Sequence, residues 1–265
     1  MTRLSANAKR QVIAICAALL IVALVVPVLR YSDRWWNGVP VHWIAGRGES
    51  RTLALEDGVR VQLDADSELI VKFGAHVRRV SLIHGEALFT VAHDVSHPFE
   101  LEAGPGRIID LGTRFDVEAL RDSTRVVVFQ GQLGIRTHRG EEVLTAGRSG
   151  GYDSGGVLLP IRKADASAAL WTTGERYFDG EPLSEVIERL NRYHDVTFVF
   201  TDPQLKELQV SGTFRMSDLP LFLRTLATVF PVTAKWVDTQ HVELAWRTAT
   251  NSQDPRNGTD AGREL

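Results

Sequence analysis

The chain has 265 residues, of which 44% are hydrophobic, a formal net charge of −3 and a pI near 6.2. With this charge balance the chain has no excess of positive charge to attract nucleic acid, so direct binding of DNA is not expected. A single cysteine, Cys16, excludes an intramolecular disulfide, and the fold therefore depends on the burial of apolar side chains.

Residues 12–29 form an unbroken apolar run, VIAICAALLIVALVVPVL. At about 1.5 Å per residue the run nearly spans a hydrocarbon layer of about 30 Å, which predicts a transmembrane helix. The short tail 1–11 contains Arg3, Lys9 and Arg10 and no acid, so it is expected in the cytoplasm and everything after residue 29 in a bacterial periplasm. A cleaved signal peptide is the alternative, but the run is long for one and no small-residue cleavage site follows it.

Short alternating segments occupy residues 30–160 and are separated by turn signals such as His84-Gly85-Glu86. Val59, Val61 and Leu63, for example, alternate with polar residues, as in a half-buried strand. No helical period persists over ten residues in this part of the chain. We therefore predict an all-β domain that is a sandwich, a barrel or a solenoid-like arrangement.

A Gly- and Ser-rich stretch ends this domain, and residues 161–173 are expected to form a linker. Beyond it, the apolar positions from Phe178 to Phe200 recur from Phe214 to Trp236 at an offset of 36 residues. Each copy predicts strand, helix and strand, so residues 174–247 are expected to form an α+β domain of two βαβ repeats. Residues 248–265 have almost no apolar side chains and are predicted to be a disordered tail.

Two motifs match chemical signatures, but their contexts do not fit. Gly147-Arg148-Ser149-Gly150-Gly151 matches a serine nucleophile elbow, yet more Gly and Ser follow where a helix is needed. His93, Asp94 and His97 could bind a metal, but they lie between β patterns just before Pro98, which favours a solvent-facing turn. Phosphate-binding glycine motifs do not occur. We therefore expect no cofactor, no metal site and no conventional enzyme, and a protein that binds a partner.

A series of further motifs is distributed along the chain. It reads Gly85-Glu86-Ala87-x-Phe89-x-Val91, Pro98-Phe99, Leu111-Gly112-Thr113-x-Phe115-x-Val117, Val126-x-Val128-x-x-Gly131 and Leu144-x-Ala146-Gly147, then Trp171, Phe178-x-x-x-Pro182-Leu183 and Leu190-Asn191-Arg192-Tyr193. In order and spacing these motifs resemble the FecR family of transmembrane sigma-factor regulators. The last three are similar to its C-terminal module, which resembles the short domain at the N-terminus of secretins and TonB-dependent receptors.

The resemblance implies a relay across the periplasm. The signalling domain of an outer-membrane TonB-dependent receptor, often one for a ferric siderophore, would contact this chain, which would control an extracytoplasmic-function sigma factor. Family members usually carry a helical sigma-binding domain before the span, whereas residues 1–11 are too few to bury a core. A late annotated start, loss of that domain or a separate protein would each account for this difference.

Two other functions remain as alternatives. One is a membrane-tethered periplasmic binding or scaffold protein without a role in transcription. The other is an envelope hydrolase, which has only the serine motif in its favour.

The resemblance also implies a possible reaction at the Gly112–Thr113 bond, because self-cleavage at a Gly-Thr bond has been described in the family. A strained turn could place the Thr113 hydroxyl on the Gly112 carbonyl for an N-to-O acyl shift, and water would then open the ester. Glycine admits such a backbone and leaves the carbonyl unshielded. A turn glycine followed by a strand threonine is the alternative interpretation.

Overall fold

The computed structural model describes residues 39–55, 58–73, 78–94, 96–110 and 112–247. These residues form two units, divided between Gly174 and Glu175. None of the helices within these ranges is long and apolar enough to cross a membrane. The predicted transmembrane helix 12–29 and both predicted tails, 1–11 and 248–265, lie outside the described residues.

Unit 1 is a β domain, as its alternating sequence predicts. Its described part contains thirteen strands in one hydrogen-bonded network. They are β1 Val41–Ala45, β2 Arg51–Ala54, β3 Arg60–Leu63, β4 Ser67–Phe73, β5 Arg78–Thr90, β6 Phe99–Ala103, β7 Gly106–Asp110, β8 Arg114–Ala119, β9 Ser123–Gln130, β10 Gln132–Thr137, β11 Gly140–Thr145, β12 Arg148–Asp153 and β13 Leu158–Lys163.

The long strand β5 divides this network into two layers. Its first half pairs with β4 and, in parallel, with β6, while its second half pairs with β3 and β8. One layer therefore runs β1-β4-β5-β6-β7-β10-β11 and the other β2-β3-β5-β8-β9-β12-β13. The domain is thus a two-layered sandwich that the shared strand brings close to a barrel, and it is not a solenoid.

Gly85 is the point at which β5 passes from one layer to the other. Its φ is 91°, and a Cβ built on it would lie 2.0 Å from the Ser67 Oγ and 2.6 Å from the Ser67 Cα. Only glycine allows so close an approach of the two strands. The expected turn at residues 84–86 is therefore wrong: the strand bends there and continues, because Gly85 removes the side chain that would block the bend.

The core of unit 1 lies between the layers. Phe89 and Phe115 are neighbours across β5 and β8, with ring centroids 5.2 Å apart, and Phe99 reaches them from the other layer at 5.7 Å and 6.3 Å. All three rings are fully buried. Aromatic rings of this size contribute much of the apolar burial that a domain without disulfides needs.

The segment 161–173 differs from the expected linker. Strand β13 continues to Lys163, and a 3-10 helix follows over Ala166–Thr173. The Trp171 side chain is buried, and its indole N–H donates to the buried Asp116 carboxylate at 3.1 Å. The Gln62 amide also donates to the Thr172 carbonyl. The chain is therefore fixed on the β domain nearly to the boundary at Gly174, because a large apolar ring with one polar atom finds both burial and an acceptor there.

Unit 2 is an α+β domain. Its elements are β14 Glu175–Pro182, α1 Leu183–Asn191, β15 Thr197–Phe200, a 3-10 helix Pro203–Glu207, β16 Gln209–Arg215, α2 Leu219–Val229, β17 Val232–Trp236 and β18 His241–Trp246. The apolar positions of the 36-residue repeat become the buried faces of the two helices. They are Leu183, Val186, Ile187 and Leu190 in α1, and Leu219, Phe222, Leu223 and Leu226 in α2.

The strand pairing in unit 2 corrects the prediction of two βαβ repeats. The order strand, helix, strand does occur twice, but the strands of one repeat do not share a sheet. The equivalent first strands, β14 and β16, pair with each other, and β15 and β17 lie on either side of β18. The repeat determines the order of elements, whereas pairing depends on how the two repeats pack against each other, which local periodicity does not specify.

Candidate functional site

The serine motif has no elbow geometry. Ser149 lies inside β12, which pairs with β9 on one side and β13 on the other. A nucleophile elbow needs a sharp turn from a strand into a helix, and the chain here continues as a strand to Asp153. Ser149 is therefore a strand residue.

Asp94, Ser96 and His97 form a compact set of polar contacts. The Asp94 carboxylate accepts hydrogen bonds from the Ser96 hydroxyl at 2.5 Å, from the Ser96 N–H at 2.9 Å and from the His97 N–H at 3.2 Å. The Ser96 hydroxyl first, and then His97, hold the pKa of Asp94 far below its usual range. Within the described ranges no group of three or more His, Cys, Asp or Glu side chains is placed to hold a metal ion.

The Gly112–Thr113 bond lies between the end of β7 and the start of β8, where the chain passes from one layer to the other. Gly112 has a φ of 143°, a backbone conformation that residues with side chains rarely adopt. Its N–H donates to the Asp110 carboxylate at 3.0 Å, and the Thr113 carbonyl accepts from the Val91 N–H at 2.9 Å. These contacts fix the backbone on both sides of the bond.

The Thr113 hydroxyl is buried. The residue is 5% exposed, and its Oγ1 has no hydrogen-bond partner among the residues that the structure describes. Leaving a buried hydroxyl unsatisfied costs roughly 1–3 kcal/mol, so the fold keeps this group in place at the expense of stability.

Two neighbours enclose the bond. A Cβ built on Gly131 would lie 2.7 Å from the Thr113 Cγ2 and 3.1 Å from the Gly112 carbonyl oxygen. A Cβ built on Gly112 would lie 2.5 Å from the His93 Cα and 2.8 Å from the His93 Nδ1. Gly131 thus leaves room for the Gly112 carbonyl, and the His93 imidazole lies against Gly112.

Sequence reasoning selected Gly112 and Thr113 but did not connect them with His93. The histidine is 19 positions earlier in the chain, in a loop whose path depends on packing between the layers. The only available signal was indirect, since His93 lies two residues after a motif that ends at Val91. The described residues thus bring together a buried threonine hydroxyl, a glycine at a positive φ that it adopts without strain, and an adjacent imidazole.

Unit 2 offers open strand edges. In its three-stranded sheet, β15 and β17 are the outer strands, and among the described residues each pairs with another strand on one side only. Val199 on β15 is 44% exposed, and Trp236 at the end of β17 is 45% exposed. Apolar side chains on an open edge suit an added strand from a partner, which gains main-chain hydrogen bonds and apolar contacts together.

Comparison with known proteins gives a family for both units. The family model described as FecR protein matches residues 42–134, and the one described as FecR, C-terminal matches residues 175–243. Together the two matches take in more than half of the chain. No curated protein matches the chain significantly.

Two crystal structures share the fold. Both are of a protein from Parabacteroides distasonis ATCC 8503 that is provisionally described as an anti-sigma factor, at 2.50 Å and 1.65 Å resolution. Each superposes with a TM-score of 0.72 and covers 79% of this chain and 100% of the crystallised one, at 21% and 22% identity respectively. At this identity the likeness establishes the fold.

Proposed function

Because this chain belongs to the FecR family, we propose that it is an inner-membrane regulator that carries a periplasmic signal to an extracytoplasmic-function sigma factor. The observation that supports this most is that separate family models match unit 1 and unit 2 in the family order. The fold shared with a protein provisionally described as an anti-sigma factor agrees with it. The chain acts by binding, with self-cleavage as its single reaction.

The proposed input is the signalling domain of an outer-membrane TonB-dependent receptor of the siderophore type. Unit 2 would receive it by strand addition at β15 or β17, where Val199 and Trp236 are exposed beside open main-chain groups. A charged side chain at either position would remain hydrated and oppose docking of an apolar strand.

The test uses the exported portion, residues 30–265, and the signalling domain of a TonB-dependent receptor encoded beside this chain. Calorimetry should give binding that Val199→Lys or Trp236→Lys weakens at least tenfold. Val143→Lys is the matched control, because Val143 is 60% exposed on β11 of unit 1 and should leave binding unchanged. Absence of binding to every nearby receptor domain, together with no neighbouring sigma-factor gene, would favour the periplasmic scaffold.

The proposed topology is an N-terminus in the cytoplasm, a membrane span at 12–29 and a periplasmic remainder. The basic residues before the apolar run support it. A reporter enzyme that is active only in the periplasm, fused after Trp246, should be active. Activity of a cytoplasmic reporter at the same position would contradict both the regulator and the scaffold.

We also propose that the chain cleaves itself between Gly112 and Thr113. The buried Thr113 hydroxyl without a described partner and the φ of 143° at Gly112 support this reaction. The Thr113 oxygen attacks the Gly112 carbonyl carbon, the amide nitrogen leaves with the proton, and water opens the ester. Intact-mass spectrometry of the denatured exported portion should give one piece ending at Gly112 and one beginning at Thr113. A single mass of the uncleaved chain, for the wild type as well as for Thr113→Ala, would rule the reaction out.

A further inference from the structure

The first described residues of unit 1 expose apolar side chains. Val39 is 85% exposed, Val41 49% and Ile44 54%, and we call these three side chains the β1 patch. Trp43 lies among them, half-buried against the core of unit 1. Among the described residues β1 pairs only with β4, so it is the outer strand of its layer. Single exposed apolar side chains are common, but three within six positions at an edge strand indicate an interaction surface.

Two acidic side chains beside the β1 patch are paired. Glu68 is opposite Ile44 on β4, and its carboxylate lies 3.1 Å from the His42 Nδ1. Glu49 lies in the connection between β1 and β2, and its carboxylate lies 2.9 Å from the Arg51 Nε. Neither acid therefore presents an unpaired negative charge that anionic lipid headgroups would repel.

The β1 patch is close in the chain to the proposed membrane span. Only residues 30–40 separate the apolar run 12–29 from the start of β1, and such a segment cannot extend beyond about 40 Å. Three aromatic residues and two arginines occur in it, Tyr31, Trp35, Trp36, Arg30 and Arg34. These are residue types that favour the boundary between a membrane and water. A chain that crosses the membrane at 12–29 therefore keeps β1 near the lipid surface.

We propose that the β1 patch docks on the periplasmic surface of the inner membrane, with its apolar side chains at the boundary between lipid headgroups and acyl chains. Valine and isoleucine leave water there, while headgroups and interfacial water remain available to the main-chain groups on the open side of β1. A short linker corresponds to an effective concentration on the order of millimolar, so the contact holds at an affinity too weak for a free domain. The docking rests on the proposed membrane span at 12–29.

The test uses the full chain, with Cys16→Ser so that each introduced cysteine is the single one. The chain is reconstituted in vesicles of phosphatidylethanolamine and phosphatidylglycerol, with a nitroxide on some of the headgroups. A fluorophore attached at Ile44→Cys should be quenched at least threefold more strongly than one at Val143→Cys. Val143 is the matched position, because it is exposed on β11, the outer strand at the opposite edge of the same layer.

A second comparison separates docking from mere closeness to the linker. Val39→Asp combined with Val41→Asp should lower the quenching at position 44 at least threefold, because charged side chains stay hydrated. Val39→Asp alone changes a side chain outside β1 and should give a smaller loss in the same direction. Val143→Asp is the control and should leave the quenching at position 44 unchanged. Circular dichroism establishes that each variant is folded.

The outcomes separate the docking from the membrane span itself. Equal quenching at positions 44 and 143, or quenching at 44 that the aspartates leave unchanged, would overturn the docking and leave the span intact. Weak quenching together with disulfide bonds between Ile44→Cys chains would assign β1 to pairing between two copies, which would also overturn the docking. Removal of the chain from the vesicles by alkaline carbonate would instead contradict the span, and this inference with it.

Discussion

Tyr152 connects the two layers of unit 1 through one side chain. It lies on β12, and its hydroxyl donates to the Ala103 carbonyl on β6 of the other layer at 2.8 Å. A Cβ on Gly106 would lie 2.3 Å from its ring, so the glycine makes room for the tyrosine. Burial of the phenol raises the pKa of Tyr152 to about 12. The neutral form is therefore the one that the fold requires.

This pKa shift predicts a loss of stability in alkali. In the unfolded chain the phenol ionises near pH 10, whereas in the folded chain it stays protonated to about 12. The unfolded state thus binds fewer protons, and the free energy of unfolding falls as the pH rises from 10 to 12, by roughly 2–3 kcal/mol from this group. Urea unfolding of Tyr152→Phe should show a correspondingly smaller fall over that range. An unchanged dependence on pH would contradict a buried neutral phenol.

Substitution of Trp171 tests whether the 3-10 helix Ala166–Thr173 is packed on the β domain. Replacing it by Phe removes the indole donor from the buried Asp116 carboxylate and should lower the free energy of unfolding by about 2–4 kcal/mol. Trp246→Phe makes the same change at a partly exposed bond to Asp202 and should cost less than about 1 kcal/mol. The measurement is urea unfolding followed by circular dichroism. Equal effects of the two replacements would contradict the docking of the segment.

At the scale of single elements, the bend in β5 depends on Gly85. Gly85→Ala brings a Cβ into contact with the Ser67 backbone at a positive φ and should cost at least about 3 kcal/mol or prevent folding. Gly134→Ala in β10 is the control, since nothing lies within 4 Å of its Cβ, and it should change stability by no more than about 0.5 kcal/mol. Thermal unfolding of both variants checks this. A stable Gly85→Ala protein would show that the layers separate easily at this point.

The helices of unit 2 allow buried and exposed leucines to be compared. Leu190 and Leu226 are fully buried, and replacing either by Ala should destabilise unit 2 by roughly 2–5 kcal/mol. Leu221 lies on the same helix as Leu226 but is 40% exposed. Leu221→Ala should therefore lower the free energy of unfolding by less than about 1 kcal/mol. Denaturant unfolding of the exported portion should resolve the difference. Similar losses at Leu221 and Leu226 would contradict the assignment of the buried face.

Local pattern was enough to predict the elements but not their partners. Alternation around Val61 and Leu63 predicted strands, and the spacing from Leu219 to Leu226 predicted a helix, because side-chain direction repeats with the backbone. It could not predict that β14 pairs with β16, since that pairing joins residues 27 to 40 positions apart. The same limit applies to the candidate site, where only contacts between chain neighbours could be predicted. Gly112 and Thr113 are neighbours in the chain, whereas the approach of His93 and Gly131 depends on packing across the layers.

At the scale of the whole molecule, the Gly112–Thr113 bond divides unit 1 into two interleaved pieces. Residues 113–163 contribute strands to both layers, and so do the residues before the bond. Two strand pairings join the pieces, β5 with β8 and β7 with β10. A cut at this bond would therefore leave the fold assembled.

We accordingly expect cleaved protein to remain one particle. Native mass spectrometry should give a single mass for the two pieces together, and denaturant should release them in one cooperative step with unfolding of the β domain. Thr113→Ala protein is the uncleaved control and should also give a single particle under native conditions. Dissociation without denaturant would contradict the role of the two pairings.

The shared layers also determine how unit 1 would carry a pulling force between the proposed membrane span at 12–29 and unit 2. In the uncut chain, tension passes along the covalent backbone through Gly112 and Thr113. In the cut chain the same tension has to pass through the hydrogen bonds of β5 with β8 and of β7 with β10, which share six and four residue pairs. Cleavage would therefore set the pulling force at which the two pieces of unit 1 come apart, so that unit 2 would separate from the proposed membrane span.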